Sequence, residues 1–325
     1  MSFWPKLAVY LLLTLLTASC AHRPAINSTT PTIDATGVKN ILVINTNHSL
    51  ERYRVSQAAF IETLKLTAAD NTRAVSTIDL DMDNTPVETL QDVLNQRHYD
   101  AVYCIGAKAL GSVDYIDPNT QVVFSSVLNW RRFVDQPRYS GIASDPATEA
   151  QLTWFKYFFP DIKTIGVLYS AKNRQLLKHA TKIASQLSIN IVGEEVHSNS
   201  SLMAQANALL PNVDALWLIS DSTVLSSTDT AKQLFAAADQ HKTPILSYNP
   251  VFVEMGALLS ISADVATTGR QAALIMNNLL SGSNQASSIQ FPAGSSISLN
   301  LRKVHEYNIK LNSSALDSVN ELVGE

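Results

Sequence analysis

Small, hydroxyl and amide side chains gather wherever a short apolar run of this chain ends. Asn47-His48 closes one such run, Gly106-Ala107-Lys108 another and Ser125-Ser126 a third. Further along come Tyr169-Ser170, Ser220-Asp221-Ser222-Thr223 and Tyr248-Asn249. Groups of this kind suit hydrogen bonding of a small polar ligand, with tyrosine rings covering its apolar part. A helix that starts just after such a turn also offers free N–H groups to a carboxylate. Taken singly, the same Ser, Asp and Asn side chains could do no more than cap the following helix. Taken as a set, they point to the lining of a cleft. Lys108 is the one cation among them, which favours a neutral or zwitterionic ligand over phosphate or sulfate.

Covalent and metal chemistry leave no comparable pattern. His22, His48, His98, His179, His197, His241 and His305 include no pair at the i, i+4 spacing of a helical metal site, and no cysteine pair accompanies them. The chain contains no G-x-S-x-G nucleophile elbow, no P-loop and no G-x-G-x-x-G turn. The expectation is a protein without catalytic residues, metal or cofactor, and not an enzyme. Of the 325 residues 46% are hydrophobic and 16% charged, which suits a globular chain with a large core rather than a disordered one. The formal net charge of −4 lacks the basic excess of a nucleic-acid binder.

The candidate residues need elements to hold them. Strand candidates lie at 41–45, 74–78, 101–105 and 122–125, and again at 164–169, 190–192, 215–219 and 245–248. Amphipathic runs at helical spacing alternate with them, at 52–66, at 86–96 with its early proline, and at 173–187 with a clean apolar stripe. This alternation predicts parallel sheets covered by helices on both faces. Two similar series predict an α/β protein of two Rossmann-like lobes. Asp145 and Pro146 look like the N-cap and first residue of a helix after the stretch 138–145. A late pair, the strand within 256–264 and a helix at 265–281 ended by Gly282, comes after the second series is complete and is expected to return to the first lobe. The expected lobes are 38–141 with 257–283 and 142–256 with 284–325, and the chain is expected to cross between them near 140–144, 253–257 and 282–286. Three such crossovers make a hinge, and the carboxyl ends of both sheets would face one cleft. Trp217, within a strand, is expected in the core, as is Cys104 in its apolar run.

The N-terminus reads as an address. Lys6 precedes an apolar run at 7–16, which is too short to span a bilayer. Thr17, Ala18 and Ser19 then lead to Cys20. The pattern resembles the bacterial lipobox, with Thr17 in place of the usual Leu. It predicts a signal peptide at 1–19, lipidation of Cys20 and a flexible tether at 20–37. An ordinary cleaved signal and a retained anchor are the alternatives. The protein is expected in the periplasm or cell envelope as a monomer. By analogy with lipoprotein sorting, Ala21 after the cysteine favours the outer membrane if the cell is Gram-negative.

The body resembles the bacterial ABC-transporter substrate-binding proteins of the group that includes tryptophan- and tyrosine-binding members. The resemblance is carried by FPDIKTIGVLY (159–169), DALWLISDSTV (214–224), Gly256-Ala257-Leu258, the stretch from Asp264 through Gly269-Arg270-Gln271-Ala272-Ala273 to Gly282, and Leu299-Asn300. IGAKAL (105–110) and VVFSSVLN (122–129) also fit, more loosely. The resemblance implies a type I periplasmic-binding-protein fold, no catalysis, and capture of a small, often amino-acid ligand by hinge closure, with an ABC permease and ATPase as partners. The alternative partner is a membrane sensor or kinase. Two stretches depart from the family near the expected cleft mouth: Ser170-Ala171-Lys172-Asn173 and Trp130-Arg131-Arg132. Asn173 in the first departure and Asp264 in the late motif complete the candidate ligand set.

Overall fold

The computed structural model describes residues 38–70, 75–96, 98–128, 130–134, 136–282 and 288–324. The expected signal peptide, Cys20 and the whole of the expected tether lie outside the described residues.

The first lobe is a six-stranded sheet. Its strands are β1 (Lys39–Asn45), β2 (Val75–Asp81), β3 (Ala101–Ile105), β4 (Gln121–Ser125) and β5 (Tyr139–Ile142), joined by the late β11 (Ile289–Gln290). The helices α1 (Glu51–Asp70), α2 (Val87–Gln96) and α3 (Ala107–Gly111) connect them. The second lobe continues with α4 (Thr148–Phe158), β6 (Thr164–Tyr169), α5 (Arg174–Gln186), β7 (Asn190–Glu195), α6 (Asn199–Leu209), β8 (Ala215–Trp217), α7 (Thr228–His241), β9 (Ile245–Ser247), α8 (Val251–Glu254) and β10 (Leu259–Ala263). After α9 (Val265–Leu280) and β11, the chain ends with β12 (Ser295–Asn300), α10 (Leu301–Glu306) and β13 (Glu321–Val323).

Strand order shows how alike the lobes are. The first sheet runs β2-β1-β3-β4-β5-β11 and the second β7-β6-β8-β9-β10-β12-β13. Each begins as a doubly wound sheet whose order reverses beside its first strand, between β1 and β3 and between β6 and β8. Such a reversal opens a crevice at the carboxyl ends of the strands. Pairing is parallel throughout except between β10 and β12. Each sheet carries an apolar cluster on either face. In the first lobe one is built around Leu42, Cys104 and Phe124 and the other around Ile41, Phe60 and Tyr103. In the second, Phe155, Val167 and Trp217 lie on one side and Leu216, Leu234 and Val253 on the other. Cys104 is a buried free thiol, and burial pushes its pKa up. Trp217 is buried and donates its ring N–H to Gln151 Oε1 at 3.2 Å.

The crossings differ from the expected positions, except that the first follows β5 directly. The strand β10 does not return to the first lobe. It pairs with β9 through Leu259 and Leu246 and with β12 through Ile261 and Ile297, in the second sheet. Only the helix α9 returns, packing along α1, so the second crossing falls at Asp264 rather than near 253–257. The third follows β11, which still pairs with β5, and occupies 291–294 rather than 282–286. Of that expected stretch, 283–286 lie outside the described residues. A β-strand's periodicity records that it is buried, not which sheet buries it. Two further readings change. Residues 139–142, read as connection, form β5. Asp145 is not a helix cap, because α4 starts at Thr148 behind Ala147.

Gly269 explains how α9 sits so close to α1. A Cβ there would lie 2.1 Å from the backbone oxygen of Ser56. Without a side chain the two helices meet backbone to backbone, and Ala272, Ala273 and Met276 bury against Phe60 and Tyr103.

Candidate functional site

Among the described residues, two sizeable cavities lie between the lobes. The inner one, of about 280 Å³, adjoins the crossings. Its lining includes Ser126 and Leu128 after β4, Tyr248 and Asn249 after β9, Asp264 at the second crossing, and Ser262 and Ser296 from the antiparallel pair. Arg52 and Thr268 complete it from α1 and α9. Ser126 holds φ at +59°, a left-handed conformation that is uncommon outside glycine and costly enough to mark a constrained site. Asp264 caps α9 by accepting the Thr267 N–H at 2.6 Å. Asn249 accepts the Val251 N–H at 3.1 Å. Tyr248 packs edge-on to Phe252, with ring centroids 5.7 Å apart. Burial raises the pKa of its phenol against an opposing hydrogen bond with Ser220.

The outer cavity, of about 330 Å³, lies at the reversal between β6 and β8. Ser170, Lys172, Asn173, Ser220, Asp221 and Ser222 line it from the second lobe, and Leu128, Arg131 and Arg132 from the first. Asp221 is its organising residue. One carboxylate oxygen accepts the Ser170 N–H at 2.7 Å and the Asn173 amide at 2.8 Å. The other accepts the Thr223 N–H at 2.9 Å. Burial alone would raise its pKa, but these donors outweigh that and hold it below the usual carboxylate value. Asp221 thereby ties the end of β6 to the loop after β8.

A polar latch closes the back of the cleft. A short 3₁₀ turn, Trp130–Phe133, follows β4. The ring N–H of Trp130 donates to Asp145 Oδ1 at 3.0 Å, and Arg131 reaches Asp145 Oδ2 at 3.3 Å while its guanidinium stacks on the Trp130 ring. The same ring meets Phe291 edge-on at 5.7 Å. Trp130 thus touches both the first and the third crossings. Beside it, Arg131, Asp145, Gln151, Trp217 and Tyr248 enclose a void of about 10 Å³, room for about one water.

The structure brings together Ser126, Tyr248, Asn249 and Asp264 in the inner cavity and Ser170, Asn173, Ser220, Asp221 and Ser222 in the outer. Asn47, His48, Gly106, Ala107, Ser125 and Tyr169 line neither. Asn47 accepts from Ser49 beside α1, and His48 meets Asp79 at 3.1 Å along β2. Gly106, at φ +91°, packs so close to Thr46 that a Cβ would lie 2.6 Å from its hydroxyl. Thr46 and Tyr53 crowd the first lobe's reversal there, and Ala107 only begins α3 behind it. The Ser125 hydroxyl is buried against Tyr103 at 2.8 Å. Tyr169 packs into the second lobe's core beside Gly193. Lys108 turns to Asp83 at 3.1 Å. Lining residues outside the candidate ligand set include Arg52, Leu128, Ser144, Ser262, Thr268 and Ser296, together with Arg131, Arg132 and Lys172, which the sequence marked only as departures near the cleft mouth. The spacing of Ser260 and Ser262 and of Ser296 and Ser298 was the available signal for two of them, since alternate residues share a strand face.

Two α/β lobes joined at three crossings, with a polar cleft at their strand ends, define the type I periplasmic-binding-protein fold. The family model for ABC transporter substrate binding proteins matches residues 86–323, and the chain belongs to that family. Among solved structures, it is similar to the ligand-free, open form of CD0873, a substrate binding protein with adhesive properties from Clostridium difficile. Identity is 16%, coverage 88% of this chain and 100% of that one, and the TM-score 0.66. It is also similar to an ABC domain from Streptococcus pneumoniae in complex with L-Trp, at 18% identity, 88% and 99% coverage and TM-score 0.57. A conserved domain protein from Vibrio cholerae gives 18% identity, 87% and 99% coverage and TM-score 0.57. At these identities the likeness is one of fold. A comparison with curated proteins found no match. Among the described residues, no group of three or more His, Cys, Asp and Glu side chains could hold a metal ion, and no helix is long and apolar enough to cross a membrane.

Proposed function

We propose that this chain is the extracytoplasmic, lipid-anchored solute receptor of an ABC import system. It captures a small polar, amino-acid-like ligand between its lobes by hinge closure. The observation that carries this reading is the pair of cavities lined from both lobes at the strand ends, in a chain of the substrate-binding family. A ligand that touches both lobes binds the closed state better than the open one, and that difference drives closure. The family's position outside the cytoplasm agrees with the export signal read at 1–19 and with Cys20 as lipid attachment point. Ala21 after that cysteine favours the second reading, a ligand sensor at the outer membrane that signals to a membrane receptor or kinase. No catalytic step is assigned.

The test is a thermal-shift panel on the purified full-length chain with amino acids, short peptides, sugars and nucleosides. A true ligand at about a hundred times its Kd adds about 2.7 kcal/mol to native stability and raises Tm by several degrees. The reading fails if no class of compound shifts Tm. Cys20→Ala is expected to move the protein from the membrane fraction to the soluble fraction.

A further inference from the structure

The two cavities differ in charge. Arg131 and Arg132 from the first lobe and Lys172 from the second meet in the outer one, and among the described residues Asp221 is the only acid lining it. Its carboxylate is already engaged by the Ser170 and Thr223 N–H groups and the Asn173 amide. Arg131 shares Asp145, which is buried at the hinge. Arg132 stacks on the Phe133 ring, and neither it nor Lys172 has an ion-pair partner among the described residues.

We infer that the ligand is a net anion, and that its surplus carboxylate or phosphate group, beyond any charge balanced within the ligand, seats in the outer cavity between Arg131 and Arg132 on one lobe and Lys172 on the other. The inference rests on the solute-binding reading and names the class of solute. These cations stand on opposite walls, so closing the cleft empty brings like charges together, which is unfavourable and increasingly so as closure excludes solvent. An anion between them reverses the sign. It draws both walls inward, and the Ser170, Ser220 and Ser222 hydroxyls complete its shell. A neutral ligand leaves that repulsion in place. Specificity then comes from the closing step: the solute that neutralises the facing cations is the one that shifts the population.

The test uses the full-length protein and matched probes: L-glutamate against L-glutamine, succinate against succinamide, and O-phospho-L-serine against L-serine. Calorimetric titration is expected to show the charged member of at least one pair binding about tenfold or more tightly than its neutral partner, the scale of a charge-assisted hydrogen bond. Its affinity should fall with added NaCl. The preference between L-glutamate and O-phospho-L-serine separates carboxylate from phosphate. Arg132→Gln and Lys172→Gln, both at exposed side chains, should each weaken the charged probe about tenfold and flatten its salt dependence. Neutral members binding as well as charged ones, or variants that leave affinity and salt response unchanged, overturn the anionic assignment while solute binding stands. If no neutral or charged compound of the wider panel shifts Tm, the solute-binding reading itself has failed.

Discussion

Asp221 shows what a single side chain can hold in this cleft. Its oxygens accept from Ser170, Asn173 and Thr223, so it fixes both strand ends that frame the outer cavity. Asp221→Ala strips the acceptor from all three donors and is expected to cost about 2–4 kcal/mol in urea unfolding at neutral pH. The pH dependence has a definite sign. The folded pKa lies below the unfolded one, so the stabilisation is present above about pH 4 and is lost as pH falls through the folded value. The gap between wild type and Asp221→Asn should therefore narrow in acid; a gap that is constant with pH would refute the account. Asp221 and its neighbours were legible as candidates because they follow a strand. Asn47, Ser125 and Tyr169 obey the same rule yet point elsewhere. Side chains alternate across a strand, and position at its end does not reveal which way the last one faces. Arg131 and Arg132 were visible as a departure from the family, but their charge could be assigned to the cleft only once the turn after β4 was placed.

Among the elements, the meeting of α1 and α9 depends on one absent Cβ. Gly269→Ala would press a methyl group into the backbone of α1 at Ser56. The helices must then separate and leave gaps around Ala272 and Ala273. The expected loss is about 2–3 kcal/mol, read as a lower urea midpoint with m unchanged. A variant as stable as wild type would mean that the helices do not pack this closely. Periodicity and apolar runs marked α1, α5 and α9 and the central strands well, because burial imposes those patterns directly. They did not mark β5 as a strand or give β10 its partners. A four-residue strand is too short to show a period, and pairing between distant strands leaves no trace in spacing.

At the scale of the molecule, the lobes are joined at the crossings, and Trp130 touches two of them through Asp145 and Phe291. Asp145→Ala would leave the buried indole N–H without its acceptor and release Arg131. The expected cost is about 1–3 kcal/mol in urea unfolding. Small-angle scattering should also show a wider spread of lobe separations in the unliganded variant, and unchanged scattering would show that the latch does not restrain the hinge.

The return of α9 has a consequence for how the chain is made. The strands β1 to β5 have all been synthesised by Ile142, yet the wall over Ile41, Phe60 and Tyr103 is still missing Ala272, Ala273, Ile275 and Met276. That wall closes only when the chain has been synthesised to Leu280, after the second lobe's β6 to β10 are complete. The half made first can finish folding only after most of the half made second is available, so any chain that is still incomplete, whether being synthesised or being exported, carries an open apolar face.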